Sequence, residues 1–177
     1  MSDILGRVTD EQDIFKKLLG KIPGFSGYVD RTNRRSADKL LRETVANRFD
    51  GIGQRISGLQ RDLISQGEIS WVDDLEASAL KVRQFTDRIR TASYGYAGFF
   101  DAVKINSDEL AQIYQYDLAL MQSGDEVDRA LDNVESAMGT DGLAAAIRSL
   151  TQKSADCVTA FDKRSQVILG GAQAPQP

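Results

Sequence analysis

Six apolar residues, Val45, Phe49, Ile52, Ile56, Leu59 and Leu63, recur at spacings of 4, 3, 4, 3 and 4. A repeat averaging about 3.5 residues puts all six on one stripe of an α-helix and suits coiled-coil-like packing. A strand alternates every second residue, so it would scatter the same six over both faces. The stripe predicts a helix over 30–65, the longest in the chain, spanning roughly 54 Å. Gly51, Gly53 and Gly58 interrupt it at about 1 kcal/mol each relative to Ala. They either admit a closely packed neighbour or mark a bend near Asp50 to Gly53. The run GIGQRISG follows no strand and misplaces its third glycine, so it is no dinucleotide fingerprint.

The remaining periodic segments are helical too. Residues 3–21 carry Ile4, Leu5, Val8, Phe15, Leu18 and Leu19 on one side, with Thr9 as an alternative cap for a helix starting at Asp10. Such a helix either docks on the bundle or lies on a membrane surface; Asp10, Glu11 and Asp13 oppose the second. KIPGFSGY (21–28) reads as a turn with apolar anchors. Ser70 is placed to cap a helix over 71–92, with Asp73 and Asp74 in its first turn. Ser107 is placed to cap another, with Leu110, Ile113, Leu120, Val127, Leu131, Val134 and Met138 on one seam. Asp117 and Gly124 fall on that seam, and Ser123-Gly124-Asp125 either splits the helix or kinks it. Residues 141–169 form the last helix, closed by Gly170-Gly171. No stretch alternates as a strand does, and no repeat of 20–50 residues occurs. The expected fold is all-α: an antiparallel bundle of about four to five helices, two or more of them long. It forms one domain over 1–170, followed by a disordered tail at 171–177.

The connector SYGYAGFFDAVKINS (93–107) sets Tyr94, Tyr96, Phe99 and Phe100 within seven residues, spaced by Gly95 and Gly98. Four exposed rings would make an apolar patch that soluble monomers rarely keep. The connector is therefore expected to pack over one end of the bundle as a structural plug.

Composition excludes several chemistries. The chain has no histidine, which removes the commonest general base and metal ligand. Its single cysteine, Cys157, excludes an intrachain disulfide and reads as a small buried hydrophobe. The acidic pairs at predicted helix starts are explained by the helix dipole. We expect no catalysis, no cofactor and no metal. No segment reads as a secretory signal or an apolar span, so a cytoplasmic location is expected. The net charge of −4 divides into +3 over residues 1–64 and −7 over 65–177. An acidic chain of this kind is a poor nucleic-acid binder.

Two charged runs and one carboxylate remain as candidates. Arg31, Arg34, Arg35, Lys39 and Arg42, with Arg48 beyond them, form a basic face opposed by Asp38 and Glu43. Asp125, Glu126, Asp128, Asp132 and Glu135 form an acidic face opposed by Arg129. One face of each sign invites head-to-tail association with a second copy or with a protein partner. Asp117, a carboxylate on an interior seam, needs a partner, for which Arg88, Arg90 or a tyrosine hydroxyl are the candidates.

Three stretches, KIPGFSGYVDRTNRRSADKLLRE (21–43), RIRTASYGYAGFFDAVKIN (88–106) and LAQIYQYDLAL (110–120), together resemble an uncharacterised family of bacterial all-helical proteins. That family is associated with membrane-scaffold neighbours of the stomatin/flotillin type. The resemblance implies a helical fold and no known activity, and it assigns no functional residue. The expected function is a non-catalytic interaction or scaffold module acting through its charged faces. The alternatives are a peripheral membrane-associated factor using helix 3–21 and the basic face, and a small-ligand binder or enzyme with a pocket beneath the aromatic connector.

Overall fold

A computed structural model describes residues 13–26, 34–92 and 107–172. Residues 1–12, Arg31 and the connector residues Tyr94, Tyr96, Phe99 and Phe100 lie outside the described residues, as does the tail beyond 172. The described chain is all-α. Helix α1 covers residues 13–21. It is followed by α2 (Arg34–Ser65), a short 3-10 turn (Ile69–Trp71), α3 (Val72–Thr91), α4 (Ser107–Ala137) and α5 (Leu143–Ala172). At 32 residues α2 is the longest described element.

All six residues of the 45–63 stripe are buried. Each such side chain contributes about 1.5–3 kcal/mol over leaving it in water, which outweighs the propensity cost of the glycines. The helix runs through Gly51, Gly53 and Gly58 without interruption. A Cβ on Gly53 would reach only ordinary contact with Val82 of α3, and at Gly51 and Gly58 it would meet nothing within 4 Å. The helix ends where Gly67 turns to φ 81°. There the Gly67 amide donates to the Ile64 carbonyl and the Glu68 amide to the Leu63 carbonyl. This is the paired closure that a left-handed residue permits. Ser70 makes no cap: it sits inside the 3-10 turn, Trp71 takes the N-cap position, and no side-chain cap bond forms. Helix α4 passes unbroken through Ser123-Gly124-Asp125. Helix α5 continues through Gly170 and Gly171 to Ala172.

Successive helices reverse direction, giving two hairpins, α2–α3 and α4–α5. The hairpins pack side by side with α2 along α4 and α3 along α5. Cross-links between them advance in the same sense on both elements. Arg48 reaches Asp125 and Asp128, and Arg55 reaches Asp128, Asp132 and Glu135. Ser78 meets Thr151, and Arg88 meets Asp162. Spatial neighbours across the two hairpins are therefore parallel. An aromatic layer ties three helices together: the Phe49 and Phe85 rings lie 4.4 Å apart, and Phe85 and Phe161 6.1 Å.

Helix α1 covers the seam between α2 and α4. Leu18, Ile22 and Phe25 are buried. Phe15 and Phe25 stack against Tyr114 of α4, and Gly24 comes close to Leu40 of α2. Leu18 of α1 is thus committed to the bundle, while Leu19 is 42% exposed. Among the described residues no helix is long and apolar enough to cross a membrane.

Candidate functional site: a buried charge network and two charged ends

The interior is not uniformly apolar. The heptad of α2 extends backwards from Val45 to position 42 and then 38, which are Arg42 and Asp38. The seam of α5 runs 143, 147, 150, 154, 157, 161 and then 164, which is Arg164. Folding these stripes inward brings their charges together. Arg164, 0% exposed, donates from Nε to Asp117 Oδ1 at 2.6 Å and from Nη2 to Asp38 Oδ1 at 2.7 Å. Asp117 is 0% exposed and Asp38 2%. Asp38 Oδ2 accepts from Arg42 Nε at 2.8 Å, and Arg42 Nη1 donates to the Ile89 carbonyl at 3.3 Å. Arg42 is 6% exposed. The network takes Asp38 and Arg42 from α2, a backbone carbonyl from α3, Asp117 from α4 and Arg164 from α5. Among the described residues the network holds two carboxylates and two guanidiniums. Each charge has lost most of its hydration, which only close, hydrogen-bonded geometry repays.

Two expectations are corrected here. Among the described residues Asp117 forms its ion pair with Arg164, whereas Arg88 pairs with Asp162 and Arg90 with Asp50. Both arginines are half-exposed, Arg88 reaching toward α5 and Arg90 toward α2. Arg42 does not belong to an exposed basic face: its i,i+4 pairing with Asp38 turns it inward. Of the other basic residues, Arg35 and Lys39 are exposed. Lys39 lies 3.7 Å from Glu43, a surface pair worth little. Arg34 begins α2.

The acidic run on α4 is engaged within the chain. Arg48 contacts Asp125 at 2.6 Å and Asp128 at 2.7 Å, and Lys21 contacts Asp125 at 2.9 Å. Arg55 spans Asp128, Asp132 and Glu135 at 3.2, 2.6 and 3.0 Å. Glu126 is met by Lys153 of α5 at 2.7 Å. Burial works against the charge on Arg48, yet its bonds to Asp128 and Asp125 outweigh burial and raise its pKa. Burial would likewise lift the Asp125 carboxyl, but Lys21 and Arg48 together hold it below its ordinary value. Gly124 gives Arg48 room in this ladder. A Cβ there would lie 3.0 Å from Arg48 Nε and 3.1 Å from its Cδ.

Charge without a partner collects elsewhere. Asp62, Glu68, Asp73 and Asp74 join no ion pair among the described residues, and all four sit around the α2–α3 turn. Asp73 and Asp74 also lie at the positive end of the α3 dipole. Ile64 and Ile69 stand among them, 54% and 66% exposed. Sequence patterning missed this tip because its carboxylates are spread over thirteen residues rather than forming a run.

No family model, curated protein or solved structure matches this chain. The site therefore has to be read from its own chemistry. Cys157 is buried, and burial pushes its thiol up to about 11, so it is not a nucleophile at neutral pH. An open groove of about 890 Å³ runs between α2 and α3, edged by the Arg90–Asp50 and Arg83–Glu76 pairs. Its charged rim is self-neutralised.

Proposed function

We propose that this protein is a non-catalytic interaction module that associates end to end with a second copy of itself. The observation that carries the reading is the acidic tip at the α2–α3 turn, where four carboxylates join no ion pair among the described residues, at the far end of α2 from its basic start. The α4 carboxylates are neutralised by Arg48, Arg55, Lys21 and Lys153, so the long faces offer little net charge. Arg34, Arg35 and Lys39 place three basic residues in the first turns of α2, of which Arg35 and Lys39 are exposed. Asp62, Glu68, Asp73 and Asp74 mark the region beyond its far end, about 48 Å away. Opposite charges at opposite ends favour a heterologous, head-to-tail contact, with Ile64 and Ile69 as the apolar centre of the acidic tip.

The setting proposed is the cytoplasm. Against the membrane-surface alternative stands the burial of Leu18 in the bundle; Leu19 is exposed, and Ile4, Leu5 and Val8 lie outside the described residues.

Sedimentation velocity across a salt series tests the proposal. Association should weaken as salt rises and vanish in Arg34→Glu/Arg35→Glu/Lys39→Glu and in Asp73→Lys/Asp74→Lys. Mixing the two variants should then give a complex, because the reversed ends become complementary to each other. Association that survives high salt and both reversals refutes it, as does a wild-type chain that stays monomeric at every concentration. Co-sedimentation of that monomer with acidic liposomes would favour the membrane reading instead.

A further inference from the structure

A second cleft, of about 440 Å³, opens between the first half of α2 and the last turn of α3. Among the described residues Lys39, Arg42, Glu43 and Arg90 line it. We propose that this cleft binds a phosphate group, carried either by a soluble phosphomonoester or by a lipid headgroup.

Arg42 is the anchor. A guanidinium carries five N–H donors in a fixed plane. Arg42 spends one on Asp38 and one on the Ile89 carbonyl, and it makes no other hydrogen bond among the described residues. Those two bonds, behind a side chain 6% exposed, fix the plane of the group while it still lines the cleft. A guanidinium held rigid with donors unspent is prepared for a tetrahedral oxyanion, since little rotamer freedom remains to be lost. Asp38 is in turn held by Arg164, so the buried network acts as the rear support of the site.

Lys39 and Arg90 supply the walls. Lys39 is exposed, and its 3.7 Å pairing with Glu43 is loose enough to be exchanged for a better acceptor. Arg90 is steadied by Asp50 and Asn47 of α2, on the side of α3 that faces α2. Each of these cations has a carboxylate beside it, Asp38 for Arg42, Asp50 for Arg90 and Glu43 for Lys39, so the site offers directed N–H donors rather than net positive charge. A phosphate group, with three strong acceptor oxygens in a small volume, matches that fork of donors.

Titration with inorganic phosphate, followed by the 15N resonances of the arginine side chains, tests the site. The chain to use is Asp73→Lys/Asp74→Lys, whose tip cannot pair end to end, so the outcome is independent of the proposed self-association. Phosphate should shift the Arg42 Nε resonance saturably, while chloride at matched ionic strength should not. Lys39→Gln/Arg90→Gln changes only exposed side chains and should weaken binding at least tenfold without lowering the melting midpoint. Arg42→Lys keeps the charge but loses the fork, and should weaken binding further. Vesicles of phosphatidylcholine with and without phosphatidic acid distinguish the source. Co-sedimentation that requires phosphatidic acid and fails in Lys39→Gln/Arg90→Gln identifies a headgroup; phosphate binding without vesicle binding identifies a soluble ester. The proposal is overturned if phosphate gives no saturable shift below about 10 mM, or if the double variant binds it like the parent.

Discussion

Replacing Arg164 by Met isolates the contribution of the buried network. Methionine keeps a flexible stem of similar reach and removes only the charged fork. Asp117, 0% exposed, loses the guanidinium 2.6 Å from it, and Asp38 is left with Arg42. Removing one partner of a buried ion pair costs about 3–5 kcal/mol, because the other charge stays dehydrated. A domain of this kind holds about 5–15 kcal/mol in total, so the variant folds but is severely weakened. At about 2–4 °C per kcal/mol for this chain length, the midpoint should fall by roughly 6–20 °C. Thermal and urea denaturation by far-UV circular dichroism would measure it, with an unchanged m-value showing that the same surface unfolds. The companion is Asp117→Leu/Arg164→Met, which removes both charges. Replacing a buried pair by apolar groups is often close to neutral, so the double variant should be more stable than Arg164→Met alone. An Arg164→Met midpoint within about 2 °C of wild type would refute the reasoning. So would a double variant whose loss equals the sum of the two single losses, since residues in one network should not be additive.

Gly51→Ala and Gly58→Ala meet no neighbour within 4 Å and should each raise stability by about 0.5–1 kcal/mol. Gly124→Ala should gain less or lose, because its Cβ displaces Arg48; thermal melts of the three decide this. Cys157, with its thiol raised to about 11 by burial, should resist iodoacetamide at pH 8 in the folded protein and react once urea is added. Comparable rates in the two states would contradict its placement. The Asp125 carboxyl is held below its ordinary value near 3.8. A lowered folded value means stability that is present above that ordinary value and lost as pH falls through the folded one. The melting difference between wild type and Asp125→Asn should therefore be full near pH 6 and shrink below about pH 3.8.

The helices were legible because apolar periodicity survives in the sequence. Every residue of the 45–63 stripe is buried, as are Leu75, Val82, Phe85 and Ile89 of α3. The need of Asp117 for a partner was legible as well, but the partner's identity was not. Arg164 lies 47 residues away on another helix, and only the pairing of α4 with α5 makes them neighbours. A signal existed: Arg164 is the one charged residue on the interior seam of its helix, as Asp117 is on its own. Two opposite charges on two interior seams call for each other. The charged faces misled for a related reason. A run of like charges in sequence says nothing of the direction each side chain takes, and i,i+4 pairing turned Arg42 inward while Arg35 stayed outside. Nor does it say what stands opposite. The acidic run of α4 faces Arg48 and Arg55 because α2 and α4 lie side by side, a packing choice that no local pattern encodes.

Arg42 and the Ile89 carbonyl are separated by 47 residues, and so are Asp117 and Arg164. Each hairpin therefore closes over the same length of chain, and both closures meet in one desolvated cluster. This bears on how such a chain can change over generations. Point substitutions on the outer surface leave the cluster untouched. A single residue inserted within a helix, between the cluster and the aromatic layer, rotates one relative to the other by about 100°. It would swing a charge out of the interior or a phenyl ring into water. Insertions and deletions should therefore be confined to the turns at 66–71 and 138–142, where added length leaves both registers intact. Lineages of this protein would then diverge freely in composition while keeping the lengths of their helices nearly fixed.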